Sequence, residues 1–257
     1  MKGIVQIYRA LFSSRLFPLH FQYINGCFVR VHGEIIQSLQ LQRFSCVKQC
    51  TIVFALIPLC QKIDYFDVGL YNLRDFTIPP TLQQADSWTY DASEASKTAC
   101  IQEMLALVEK DLIPLFEKCS ECKETLSALL DLEMRFYQNA CAARRLWGKE
   151  CWIPALGNGI NLYDGRKYCM ALKAEDYSMA SRIVQAYLEN HLHSLHCTEP
   201  KQPEHVLRKL EKAIQYEQAE LAYIAARNTT FFSELLAENE RYTRKILEQS
   251  GVHLEQV

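Results

Sequence analysis

Apolar positions change period along this chain. Ile4, Tyr8, Leu11 and Phe12 recur at helical spacing, so the pattern predicts a short helix over residues 5–16, closed by Phe17-Pro18. The period then falls to two. Cys27, Val29 and Val31 alternate with Phe28, Arg30 and His32. His32-Gly33 is a tight turn, because glycine supplies the positive φ that a hairpin needs. The return strand alternates Ile35, Gln37, Leu39 and Leu41 with Ser38, Gln40 and Gln42, which predicts a hairpin with one apolar and one wet face. Residues 50–57 are apolar on both faces, as in a central strand covered by helices. Residues 67–71 are a candidate fourth strand. Residues 76–84, with Pro79-Pro80, read as a linker.

Beyond residue 90 the period is helical almost throughout. Asp91 and Glu94 have the spacing of a capping box. Ile101, Leu105, Val108, Leu112 and Leu115 follow on one face, and Pro114 must kink or restart that helix. Leu126, Leu129, Leu130, Phe136, Tyr137 and Ala140 mark a second helix, and residues 148–165 are irregular and glycine-rich. Tyr177, Ala180, Val184, Leu188, Leu192 and Leu195 mark a third, which Pro200 and Pro203 break. Residues 204–227 are strongly helical, with Leu207, Leu210, Ile214, Leu221 and Ile224 inward. Asn228-Thr229-Thr230 either interrupts this helix or is spanned by it. Phe232, Leu235, Leu236, Tyr242 and Ile246 continue the stripe to Gly251, a C-terminal cap. The fold class expected is α+β: a small antiparallel sheet with an N-terminal helix, then a body of about five helices. Residues 1–120 form the α+β part and residues 121–257 the helical region.

Composition narrows the function. With 28 basic and 30 acidic residues the net charge is −2, so there is no strong field to hold a phosphate backbone. The longest apolar run, residues 51–60, is about half of what a bilayer span requires. Polar residues from Gln6 to Arg15 interrupt what would be the core of a signal peptide. A cytoplasmic location is expected, and with it reduced thiols for the 11 scattered cysteines.

Three constellations carry chemistry. Cys119 and Cys122 form a CxxC, but a structural zinc site normally needs a second pair, and Glu117 and Glu121 would raise the thiol pKa. His193, His196 and Cys197 share a helix side, with Glu189 one turn earlier, and could clamp a transition metal. The competing reading has His191 filling space near Leu188, Leu192 and Leu195 while the other histidines cap helix carbonyls. Arg144, Arg145, Trp147, Trp152 and Arg166 concentrate cations and aromatics across the irregular interval. Residues of that kind anchor protein interfaces, so a partner-binding surface is placed there. The same arginines could instead pair with Glu133 or Asp164 and simply pack the loop. Nothing matches a nucleophile elbow, a kinase signature or a zinc-protease helix. No catalytic residue, metal or cofactor is therefore assigned.

Gly26-Cys27-Phe28-Val29-Arg30, Ile36-Gln37-Ser38-Leu39-Gln40-Leu41-Gln42, Trp88 and Leu112-Ile113-Pro114-Leu115-Phe116-Glu117 carry a resemblance. Over roughly the first 120 residues the chain resembles the bacterial domain-of-unknown-function 4304 family. The resemblance implies a bacterial, intracellular α+β domain and transfers no site. The function expected is a non-enzymatic protein-interaction module, of the kind a bacterial conflict or defence locus would carry. The rival classes are a metal-dependent His/Cys protein and a nucleic-acid binder.

Overall fold

A computed structural model describes residues 3–44, 47–64, 71–73, 87–146, 164–197 and 203–254, with backbone alone at 72, 136–146 and 197. It is α+β. Helix α1 (Ile4–Leu16) leads through a short 3-10 turn into strands β1 (Gln22–Ile24), β2 (Cys27–His32), β3 (Ile35–Arg43) and β4 (Gln49–Pro58). Short strands β5 (Tyr71–Asn72) and β6 (Trp88–Thr89) both pair with β4. All pairings are antiparallel, in the order β1-β2-β3-β4-β5. The helices follow: α2 (Glu94–Leu107), α3 (Ile113–Lys118), α4 (Cys122–Leu146), α5 (Gly165–Lys173), α6 (Tyr177–Cys197), α7 (Glu204–Ala225) and α8 (Thr229–Gln249).

Local chemistry sets the turns. Asn25 and Gly26, at φ 50° and 88°, make the two-residue β1–β2 turn, and Gly33 (φ 59°) opens the β2–β3 turn. Ser93, rather than Asp91, caps α2: its Oγ accepts from Ser96 N at 3.1 Å, while Asp91 accepts from Ser93 N at 2.7 Å. A π-helical turn, Val108–Leu112, leads into α3, where Pro114 sits in the first turn and its missing amide is not needed. Asn228 does interrupt the C-terminal helices, since its Oδ1 caps α8 through Phe231 N at 3.1 Å. Gly251 (φ 86°) ends α8, and Val252 N reaches back to Leu247 O at 2.9 Å.

The central strand is covered as expected, but the hairpin is wet on its second face only toward the end of β3: Ser38 is buried, Gln40 half-buried and Gln42 exposed. Tyr8 and Phe12 of α1 pack on Phe28, and the same cluster continues through Ile101, Phe116, Leu129 and Met170. On the opposite face Cys27, Val29, Ile36 and Ile57 are covered by Leu247 of α8 and by Val252. Two polar residues of the hairpin, Gln37 and Arg30, are buried with partners, whereas the buried Ser38 hydroxyl finds none among the described residues. Gln37 is fully buried; its Nε2 donates to Phe116 O at 2.6 Å and Cys119 O at 2.9 Å. Arg30 donates to Gln37 Oε1 at 2.8 Å, to Leu19 O at 2.8 Å and to Glu117 Oε1 at 2.7 Å. These bonds hold the carbonyls at the end of α3 against the sheet, satisfying groups that a helix end otherwise leaves bare.

The tip of the hairpin is a second anchor. Glu34 N donates to Ser120 O at 2.8 Å, and Glu34 Oε2 accepts from Cys122 N at 3.0 Å, at the start of α4. A Cβ on Gly33 would overlap the Ser120 carbonyl oxygen, whereas one on Gly26 would meet nothing closer than 3.8 Å. Both glycines have positive φ, so both alanine variants carry the left-handed penalty of about 1 kcal/mol. Gly33→Ala alone must also push backbone apart. Urea unfolding is expected to show Gly33→Ala losing at least about 2 kcal/mol and Gly26→Ala only about 1. Equal losses would mean that the Ser120 approach is not tight.

Candidate functional site: an acidic cleft beside a buried ion network

Helix α5 separates two polar clusters. On one side Asp164 caps its N-terminus, accepting from Arg166 N at 3.0 Å and from the guanidinium of Arg166 through two contacts of 2.7 Å. Lys167 is fully buried, with Nζ 2.5 Å from Glu133 of α4 and 3.8 Å from Asp164. Tyr71 of β5 donates to Glu133 at 3.5 Å, and Arg166 lies over its ring, 5.4 Å from the centroid. Two carboxylates meet two cations, so the network is neutral. Burial of this kind holds only when each charge finds its counterpart.

Arg166 is therefore not a surface anchor. It was expected on an exposed partner-binding face and is instead buried against Asp164, because a carboxylate two residues earlier can form a fork with it. Arg144 and Arg145 lie on the backbone of α4, and their side chains fall outside the described residues, as do Trp147 and Trp152 entirely.

The other side of α5 lines a cleft of about 630 Å³ between α5, α6, α7 and α8. Leu172, Ile183, Val184 and Leu236 give it aliphatic walls, and Tyr168, Tyr187 and Tyr216 aromatic ones. Two carboxylates one turn apart on α7 point into it. Glu217 is 6% exposed; its Oε1 lies 2.7 Å from His191 Nδ1 of α6. Its Oε2 is buried with no hydrogen-bond partner among the described residues. Glu220 accepts from the Tyr168 hydroxyl at 2.9 Å, and Tyr216 also bonds to it. Burial raises the pKa of Glu220, the two tyrosines pull it down, and Glu217 pushes it up again, leaving it above the ordinary value. The Tyr216 hydroxyl is pushed up to about 12, first by burial and then by Glu220. Lys62 stands at the rim, 4.7 Å over the Tyr242 ring. Glu217, Glu220 and Glu238 face this one lysine among the described lining, so the cleft is acidic.

The motifs read from sequence fall elsewhere. Cys119 and Cys122 are both buried. Burial pushes the Cys119 thiol up to about 11, and a hydrogen bond shared with Cys60, in which Cys122 keeps its proton, together with burial raises Cys122, so both stay protonated. His193 and His196 are exposed on α6, and the Cys197 side chain is outside the described residues. Among the described residues no three His, Cys, Asp or Glu side chains gather as a metal would require. The residue that does point into a site is His191, which was expected merely to fill space. Glu217 was missed altogether, although a signal existed. The inward stripe Leu207, Leu210, Ile214, Leu221, Ile224 lacks one turn, and Glu217 stands in that gap.

No family model matches the chain, and no curated protein or solved structure is similar to it. Among the described residues no helix is long and apolar enough to cross a membrane.

Because the pKa of Glu220 is raised on folding, its charge opposes the folded state at neutral pH. Glu220→Gln keeps an acceptor for the tyrosines and removes that charge. Its melting temperature at pH 7 should exceed that of the parent. The gap should close as pH falls through the raised pKa toward the ordinary carboxyl value, where Glu220 is protonated in both states. A variant that melts lower at pH 7, or a gap that does not change with pH, would contradict this assignment of charge.

Proposed function

We propose that the chain is a non-enzymatic interaction module that docks a protein partner in the acidic cleft between α5 and α8. The observation that carries this reading is the buried Oε2 of Glu217, a residue that lines the cleft, which has no donor among the described residues. Buried polar atoms without partners are rare and are costly to leave unmade, so a partner that brings a donor gains binding energy there. The apolar walls supply the area, and the tyrosines supply the rigid aromatic contacts that dominate interface energetics. Part of the interval over residues 144–168 borders this surface, since Tyr168 belongs to the cleft wall. A catalytic reading has less support. The Cys169 thiol in the wall is raised by burial and stays protonated. Surplus negative charge repels a phosphate backbone, which disfavours nucleic acid at this surface.

Site-specific photocrosslinking tests the reading. Tyr216 is 57% exposed and borders the cleft, while Phe17 is 50% exposed and packs beside Phe28 at the opposite end of the chain. A benzophenone amino acid at position 216 is expected to capture a discrete partner in the native cell, and the same group at position 17 is not. Capture at neither position, or the same products at both, would overturn the assignment.

A further inference from the structure

We infer that the cleft seats a primary alkylammonium, the side chain of a lysine presented by the partner. This rests on the reading of the cleft as the docking surface and names the group that it recognises. Charge is the first argument. Glu217 and Glu220 are each less than a tenth exposed and lie one helical turn apart, while the lysine at the rim is drawn over Tyr242. The open valence is the second. Glu217 lines the cleft, and its Oε2 is buried with no donor among the described residues. A cation on a slim stem suits so buried an oxygen, and the aliphatic walls of Leu172, Ile183 and Val184 suit four methylenes. Tyrosine faces along the same walls add cation–π attraction.

Lone-pair bookkeeping then selects ammonium over guanidinium. A guanidinium binds carboxylate best as a two-pronged fork. That fork is blocked at Glu217, where Oε1 is held by His191 at 2.7 Å. It is also obstructed at Glu220, which already accepts from Tyr168 and Tyr216. An ammonium is a point charge with three rotatable donors and can take one oxygen from each carboxylate.

The test titrates the full chain with the blocked amino-acid amides N-acetyl-lysine, N-acetyl-arginine and N-acetyl-norleucine methylamide, following the methyl NMR signals of Ile183, Val184 and Leu236. The lysine derivative should shift these methyls saturably. The arginine and norleucine derivatives should bind at least about tenfold more weakly. Glu217→Gln should weaken the lysine derivative by about tenfold or more. Equal binding of norleucine would make the cleft merely apolar, and equal binding of arginine would remove the selectivity; either overturns the inference. So would absence of any shift. 1,5-Diaminopentane is the remaining arm: binding about a hundredfold tighter than the lysine derivative would assign the seat to a free polyamine and overturn the lysine assignment. If Glu217→Gln fails to fold, the comparison of derivatives on the parent chain decides alone. Partner capture at position 216 without binding of the lysine derivative would sink this inference and leave the docking surface standing, whereas loss of both would sink both.

Discussion

The charge on Lys167 has no water to turn to, and the placement of the helical body follows from that. A fully buried ammonium is tolerated only beside carboxylates, and the two it meets come from different elements: Glu133 from α4 and Asp164 from the cap of α5. Arg166 and Tyr71 complete the set, and Tyr71 ties it to the edge of the sheet through β5. Helix α5 is short, and nine residues of intrinsic propensity would not hold it in one orientation. The ion network does so, and thereby fixes the opposite face of α5, with Tyr168 and Leu172, as a wall of the cleft.

The same logic joins the sheet to the helices. Arg30 and Gln37 are polar residues on a core-facing side of the hairpin; one bond joins them to each other, and the rest close onto the end of α3 or the turn after α1. Glu34 at the hairpin tip receives the first amide of α4 and pairs with Lys173 at 3.4 Å. Partial burial pushes its carboxyl up, but the Cys122 amide and then the Lys173 ammonium outweigh that and hold it below its ordinary value. Thr243 of α8 donates to Gln61 O at 2.5 Å and accepts from Ile63 N at 3.3 Å, so α8 is fastened beside the exit of β4 before Leu247 covers the sheet. Directional bonds orient the elements and apolar burial supplies the bulk of the favourable free energy.

Much of this was legible in the chain itself. Period-two alternation located β2 and β3, double-sided apolarity marked β4 as central, and Gly33 and Gly251 marked their turns. Those signals are local, so one sequence suffices to read them. The cover on the second face of the hairpin was not legible. Ser38 looks solvent-facing because the residues over that face, Leu247 and Val252, lie near the C-terminus, and the acceptors that bury Gln37 and Arg30, Phe116 and Glu117, lie about eighty residues away. Arg166 looked like a surface anchor for the same reason. Its partner Asp164 was visible, but the burial that turns the pair into a core element depends on Tyr71 and on Lys167–Glu133. The cleft was half legible: a glutamate in an apolar helical stripe is a readable anomaly, while His191 opposite it required the packing of α6 against α7.

Two sets of buried charge thus flank one helix: a neutral set that holds the fold, and an acidic set that leaves one carboxylate oxygen without a donor among the described residues. Urea unfolding of Lys167→Met and Glu217→Gln at pH 7 separates these roles most directly. Lys167→Met takes the ammonium away from Glu133 and leaves the buried network one charge negative, which should lower stability by about 3–5 kcal/mol, whereas Glu217→Gln removes a charge that the fold does not need and should leave stability unchanged or raised. If Glu217→Gln destabilises the chain as much as Lys167→Met, the cleft carboxylate is part of the scaffold and the division of roles across α5 is wrong.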